Sequence, residues 1–348
     1  MTISVLAAEL PGFWAQQGIV EKVSAQEKIL IPSFAGEIGG KGLKLKQDTE
    51  FDPVVNSDGS FASLALGDDI DWYAVHPATP GMQPEIVFSK NATIPNGYTA
   101  VNSRKRGGFH VGRRRDIADR YNDTATITVG ILENSVWCPK NRPWPADPSG
   151  MAKLPSGLWV DIYIASADGG TWPDDKHLSK YGIVPLTGTE GYSYKDYIIL
   201  AGRSGKRLPT ISEWLEGAYG SPQGHDADNN AAWSATTNSA RQTTGYVEQA
   251  VSCHGLVDCA GNVHEVLSEM RSEGGAWAWV TTLNTGKDSA YGHGQQYVDD
   301  YVRVFLGGGS WGSGAKCGAA YLHSSSNLGS VHTSVGFRAV CDPLSFGN

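Results

Sequence analysis

Missing from this sequence is any run approaching the ~20 apolar residues that a membrane-crossing helix needs, so no membrane span is expected. Missing too is any C-x-x-C pair among the five cysteines, Cys138, Cys253, Cys259, Cys317 and Cys341. That excludes the common zinc spacings and the thioredoxin-type redox motif. The thiols read as buried, with a Cys253–Cys259 bridge across a short loop left open. There is no H-E-x-x-H, P-loop or dinucleotide fingerprint; GRSGKR, at Gly202–Arg207, lacks the P-loop spacing and its Ser or Thr. Positive charge is in deficit: 28 Lys and Arg against 36 Asp and Glu leave a net charge of −8, which speaks against a general nucleic-acid binder. The opening MTISVLAAELPGFWAQQG has no basic n-region and no long h-region, so no signal peptide is expected.

What is present is a 348-residue chain that is 40% hydrophobic, enough for a real core and for two domains. Its 43 Gly and 17 Pro predict many turns and long structured loops. Residues 1–18 form an N-terminal segment. Residues 19–118 read as a small all-β, sandwich-like domain: in KGLKLKQD, Leu43 and Leu45 alternate with Lys44 and Lys46 at the period of a half-buried strand. DIDWYAVHPA and PEIVFSK repeat the idea. A basic cluster follows: Arg104, Lys105, Arg106, Arg113, Arg114, Arg115 and Arg120. With an acidic balance and no interleaved aromatics, it is expected at a domain junction or subunit contact, paired with surplus carboxylates, rather than on phosphate.

The second domain spans 119–348. After the Pro-rich CPKNRPWPADPSG, GLWVDIYIA reads as a buried strand, and SYKDYIILAG as a short helix ending at its Gly. GKRLPTISEWLEGAYG is the clearest helix: Thr210 and Glu213 form a capping box, and Gly217 and Gly220 are expected to end it. Short strands among loops follow at GLVDCAGNVHEVLSE, RVFLGGGSW and VGFRAVCD. The class is α+β.

Two constellations suggest chemistry. GGSWG (Gly308–Gly312) matches the G-x-S-x-G nucleophile elbow, with His323, His332 and Asp342 downstream. The elbow requires strand, turn and helix, yet GSGAKCG is a poor helix and the Ser, His, Asp order is not the hydrolase order. A serine hydrolase is not expected. HDADNN (His225–Asn230) alternates carboxylates and amides as calcium loops do but lacks the EF-hand Gly and terminal Glu. It reads as a solvated loop, and Asp299 and Asp300 are equally generic.

RLPTISEW (Arg207–Trp214), AGNVHEV (Ala260–Val266), GGSW (Gly308–Trp311) and GFRAV (Gly336–Val340) occur in that order. Together they resemble the C-type-lectin-type domain shared with formylglycine-generating enzymes. In those enzymes two cysteines after the GGSW-like segment work through thiol and copper chemistry. Here Ser313 stands where the first would be, Cys317 lies near the second, and GAAYLHSSS replaces the usual Tyr-Arg-rich stretch. The resemblance therefore implies a C-type-lectin-like domain of formylglycine-generating-enzyme type without its catalytic pair. The sugar–calcium motifs QPD and EPN are absent as well. No cofactor is expected; a structural calcium ion is left open.

A wider resemblance is to the variable proteins of diversity-generating retroelements, among them the tropism determinants of phage tail fibres. It takes in RKRGGFH (Arg104–His110), GLWVDIYIA, SKYG, GKRLP and the GGSW-to-GFRAVCD ending. The trimer-forming β-prism of the tropism determinants is expected to be lacking. This resemblance implies that a segment at about 307–338 is rewritten by adenine-specific mutagenesis of AAC codons. Such codons yield Ser, Gly, His, Asn, Tyr, Thr, Ala or Val, but never Lys. The implied variable surface is Ser310, Gly312, Ser313, Gly314, Lys316, His323, Ser325, Ser326, Ser330, His332, Ser334 and Val335, where Lys316 departs from the repertoire. Trp311, Gly318, Tyr321, Gly336, Phe337 and Arg338 are the implied scaffold. Exposed Ser, Gly and Asn offer adaptable hydrogen bonding with little bulk, as in antibody paratopes. The implied function is non-enzymatic recognition of a host cell-surface receptor, protein or glycan, by a virion tail-fibre protein, with homotrimeric display supplying avidity. The alternatives are a host cell-surface variable adhesin and a formylglycine-generating-type oxidoreductase.

Overall fold

The computed structural model describes residues 13–76, 85–122, 124–222, 240–272, 274–290, 294–299 and 301–344. The acidic loop His225–Asn230 and Asp300 lie outside these residues, as do residues 1–12. The chain divides into two compact units: Met1–Gly112 with Val129–Arg142 and Leu344–Asn348, and Arg113–Thr128 with Pro143–Pro343.

The first unit is built from short strands in three sheets around one apolar cluster that includes Ile29, Ile31, Trp72 and Phe88. Fully burying a side chain of this size is worth ~1.5–3 kcal/mol. In the strand Lys41–Leu45, Leu43 and Leu45 are buried while Lys44 is exposed, and Leu45 sits opposite Phe34. The alternation foreseen there does not extend to Asp69–Val75, which is buried on both faces. Ile70, Trp72 and Ala74 enter the main cluster, whereas Tyr73 and Val75 join Val87 in a second one. Two covered faces erase the period-2 signal. The long strand Ser103–Arg114 needs Gly107, because a Cβ there would lie 2.2 Å from Trp72 Nε1 and 2.3 Å from the Trp137 carbonyl.

In the basic cluster, Arg104, Arg113 and Arg115 bond carbonyls besides any carboxylate, and Lys105 makes the expected ion pair. Lys105 pairs with Asp71 at 2.6 Å, but Arg104 donates to the Glu37 carbonyl and Arg106 lies 4.1 Å over the Trp14 ring. In the second unit, buried Arg113 donates to the carbonyls of Gly245 and Val247, and buried Arg115 to those of Val251 and Gln249. Loop carbonyls with no strand partner need donors, and a guanidinium supplies several at once.

In the second unit, helix α1 spans Tyr194–Arg203 and helix α2 spans Ile211–Ala218. A capping box starts each: Ser193 with Asp196, and Thr210 with Glu213. The first escapes the sequence pattern because Asp replaces the usual Glu or Gln. Helix α1 runs through Gly202 to Arg203, since Ser204 N–H still reaches the Leu200 and Ala201 carbonyls; Gly205, at φ 70°, makes the exit. Gly217 likewise stays inside α2, where a Cβ would lie 2.8 Å from Leu256, so close packing rather than termination explains it. GLWVDIYIA is two strands, Trp159–Asp161 and Ala165–Ala167, in different sheets, with every residue from Leu158 to Ala165 buried.

The sheet that carries the end of the chain has the order Leu322–Asn327, Arg303–Gly307, His264–Arg271, Val335–Gly336. Its first three strands are antiparallel and the last is parallel to its neighbour. Tyr197 of α1 stacks on Phe337 at 4.9 Å and donates its hydroxyl proton to the Val335 carbonyl, seating the helix on this sheet. All five cysteines are free thiols, so Cys253 and Cys259 are not bridged. Replacing Thr210 with Ala removes the oxygen that accepts from Glu213 N–H. The expected cost is about 1 kcal/mol, read as a lower second-unit midpoint in calorimetry with the first unit unchanged.

Candidate ligand-binding surface

The four sequence motifs meet at one buried ion pair. Arg338 donates from Nε and Nη2 to the two carboxylate oxygens of Glu265, both at 3.0 Å. Its remaining donors reach the carbonyls of Asp161, Ile162 and Val257 at 2.5–2.8 Å, so all five N–H groups are used. Each partner is 1% exposed. Trp214, from α2, donates its indole N–H to the same carboxylate at 3.1 Å. Gly307 and Gly308 lie so close to this indole that a Cβ on either would fall 3.0–3.3 Å from it. Gly308 also takes φ 80°, which glycine adopts freely. Beside the pair, Asp161 binds Lys206 at 2.5 Å and His177 at 2.9 Å while accepting from Ala339 N–H. Burial pushes the Asp161 carboxyl up, but Lys206 and His177 prevail and hold it at about 2.

From this frame the stretch between Gly307 and Arg338 is hung largely by main-chain bonds. Gly308 N–H donates to the Tyr321 carbonyl, Gly318 N–H to Gly308, and Trp311 N–H to Asn262. The Leu322–Asn327 strand pairs with Arg303–Gly307, setting His323 opposite Leu306 and Ser326 opposite Val304. The first amides of α1, which have no partner inside the helix, donate outward: Tyr194 to the Ser330 carbonyl and Lys195 to that of Leu328. Gly188 N–H holds the carbonyl of His332.

Of the twelve positions expected to vary, Gly312, Lys316, Ser325 and His332 are exposed; Ser313, Gly314, His323, Ser326 and Ser330 are half-buried. The other three do not present side chains. Val335 is 2% exposed in the core around Phe337, Ser310 is 5% exposed, and Ser334 is 9% exposed with its hydroxyl on His332 Nδ1. Among the expected anchors Gly336, Phe337 and Arg338 are buried, whereas Trp311 and Tyr321 are only half-buried. Those two are held from the backbone as much as by packing. Leu322 and Val331, 42% and 46% exposed, join the surface.

His264 was legible only as a motif letter. Its ring lies 5.3 Å from Tyr321 and 6.3 Å from His323. Burial, then the charges of His323 and His332, hold it down at about 4. A cavity of about 360 Å³ opens beside this stretch, lined by Tyr121, Ser221 and Lys316–Tyr321. No sequence signal links Tyr121 to it.

The elbow chemistry is not built. The strand Arg303–Gly307 leads into a 3₁₀ turn, Gly314–Lys316, rather than a helix. The Ser310 hydroxyl accepts from Gly312 N–H at 3.4 Å and, among the described residues, bonds no His or carboxylate. Cys317 is fully buried with its Sγ on the Gly308 carbonyl at 3.1 Å.

This arrangement, a lectin-type frame that suspends a polar loop, is a known class. The family model described as the sulfatase-modifying factor enzyme 1-like domain matches residues 90–343, and the chain belongs to that family. A second model, the Mtd second domain, matches residues 29–138. The "Tail fiber receptor-binding protein" of Bordetella phage BPP-1 is 26% identical over 328 residues, covering 88% of this chain and 77% of that protein. Among solved structures, the Major Tropism Determinant M1 variant superposes with TM-score 0.78 at 21% identity, over 100% of this chain and 89% of that one. The P3c variant gives 0.77 at 21%, over 99% and 88%. The fold is that of the tropism determinants, with a C-type-lectin-like domain.

Replacing Arg338 with Met strands Glu265 as an uncompensated buried charge and is expected to cost ~3–5 kcal/mol. Ser325→Asn, at an exposed site, should stay within about 0.5 kcal/mol, both variants being read by urea titration. The depressed His264 has a further consequence. Its folded value near 4 lies below the unfolded 6.5, so the unfolded chain binds more protons between them. Stability is therefore full above pH ~6.5 and declines as pH falls toward 4, by at most about 3 kcal/mol from this group. His264→Asn should flatten that part of the melting-temperature profile.

Proposed function

We propose that this protein is a non-enzymatic receptor-binding protein of a phage tail fibre, whose surface between Gly307 and Arg338 contacts a receptor on the host cell. The observation that carries the reading is the main-chain suspension of a Gly- and Ser-rich stretch whose exposed side chains are as different as Lys316, Leu322, Ser325, Val331 and His332. A surface held by its backbone tolerates changes of side chain. The similarity to a tail-fibre receptor-binding protein along 88% of this chain supports the same reading. The fully buried Cys317, with its thiol on a carbonyl and no bond to a second sulfur, gives no support to formylglycine-type thiol chemistry.

In this reading the variable positions are Gly312, Ser313, Gly314, Lys316, His323, Ser325, Ser326, Ser330 and His332. The first unit is a sandwich-like mount, and three copies present the surface together. No cofactor takes part. Few side chains per copy reach solvent, so single contacts are weak and avidity raises the affinity. The protein acts on the virion rather than at a host cell surface.

Two measurements test the reading. Beside the gene there should lie a reverse-transcriptase gene and a near-identical copy of the segment encoding 307–338 that differs at adenines; a locus without that copy sinks the diversification. Exchanging the exposed side chains of this stretch for another set, with Gly336–Arg338 kept, should change which cells the protein adsorbs to. It should move Tm by no more than about 2 °C. Unchanged adsorption places the receptor contact elsewhere.

A further inference from the structure

One charged group on the proposed receptor surface makes no side-chain bond among the described residues. Lys316 is exposed, makes no ion pair among the described residues, and lies outside what rewriting an AAC codon yields. It lines the cavity of about 360 Å³, at the lower end of the ~300–1,000 Å³ occupied by small-molecule sites. The cavity has a fixed floor. Gly318 N–H donates to the Gly308 carbonyl, Tyr321 N–H to that of Gly318, and Gly308 N–H to that of Tyr321. Gly318, Ala319 and Ala320 keep the space open by having almost no side chain. Tyr321, whose ring lies 5.3 Å from His264, lines it. Tyr121 lines it as well, 53% exposed and at φ 60°. A bulky residue in the left-handed region is strained by ~1–3 kcal/mol, and such strain gathers at binding sites. Its position is fixed from both ends: its N–H donates to the Gly220 carbonyl and its ring meets Tyr219 edge-on at 5.8 Å.

Two phenol rings, a row of bare backbone and one ammonium describe a definite ligand. The rings give flat apolar faces with polar tips, which suit the C–H face and hydroxyls of a sugar. The backbone admits a ring without steric conflict. Among the described residues Lys316 is the only charged one lining the cavity, so it marks where an anionic group can be held. The space is larger than an Asp or Glu side chain fills. We propose that this cavity is a subsite for an acidic monosaccharide, a pyranose bearing a carboxylate, with Lys316 on the carboxylate and Tyr121 and Tyr321 flanking the ring. The subsite deepens the receptor-binding reading and rests on it.

The test titrates the full-length protein with methyl glucuronide, with the methyl glycoside of N-acetylneuraminic acid, and with neutral methyl glucoside, read by ligand-observed NMR and calorimetry. At least one acidic glycoside should bind, and the neutral one at least about tenfold more weakly. Added salt should weaken the acidic complex. Lys316→Met should lose about tenfold or more, Lys316→Arg should keep binding within a few-fold, and Tyr121→Gly, which relieves the positive φ, should lose binding without losing Tm. Equal binding of the neutral glycoside, an unchanged Lys316→Met variant, or no acidic binding at tens of millimolar overturns the subsite. A glutamate-rich peptide that binds more tightly than either acidic glycoside assigns the cavity to a protein carboxylate and overturns it too. Cell adsorption separates the two levels: adsorption that survives Lys316→Met but not exchange of the whole stretch removes the subsite and leaves the receptor-binding reading standing. Acidic-glycoside binding together with adsorption that is unchanged on exchange of the whole stretch does the reverse.

Discussion

A buried arginine whose five donors are all satisfied is costly to assemble and costly to disturb, and Arg338 sits at that extreme. Removing a guanidinium and a carboxylate from water carries a large desolvation penalty, repaid only when geometry and hydrogen bonding are complete. Here completeness requires three distant parts of the second unit to arrive together. They are the carbonyls around Asp161 and Ile162, the Val257 carbonyl, and Glu265 with the Trp214 indole on it. The pair is thus a registration device: a shift of any one part leaves a charged group short of partners. Phe337, one residue earlier, ties the same point to α1 through Tyr197.

This rigidity is what makes an exchangeable surface feasible. Contacts made by side chains would change with every substitution. The stretch ending at Arg338 is carried instead by carbonyls and amides, which are the same in every residue but proline. Helix α1 contributes through amides that any helix leaves unpaired, so a generic property of helices becomes a clamp on the loop. The interior sets a limit on the exchange. Val335 and Ser310 lie inside the frame and cannot take large side chains without strain, so the surface open to change is narrower than the Ser- and Gly-rich composition suggests.

Much of this was legible in the residues, for identifiable reasons. Helix α2 announced itself because Thr210 and Glu213 form a local pattern, and the strand Lys41–Leu45 because one of its faces is wet. The paired faces of Asp69–Val75, and the split of GLWVDIYIA into two sheets, left no periodicity to read. Glycines were the hardest letters: Gly202 and Gly217 looked like helix ends yet sit inside helices, because close packing and termination select the same residue. In the binding stretch, motifs identified the frame, but nothing local distinguishes exposed Ser325 from buried Ser310. The cavity joins Tyr121 to Lys316 across nearly two hundred positions and could be seen only in three dimensions.

The outward-facing amides at the start of α1 fix more than position. Tyr194 and Lys195 grip the carbonyls of Ser330 and Leu328, while Gly188 grips His332. Between these grips and the edge strand ending at Asn327 there is no slack to absorb an added or deleted residue. An insertion would slide every later carbonyl off its donor and carry Phe337 and Arg338 out of their seats. Between Asn327 and Arg338 the exposed residues can be exchanged but their number cannot, so on the proposed reading substitution, not insertion, is how this part of the surface changes.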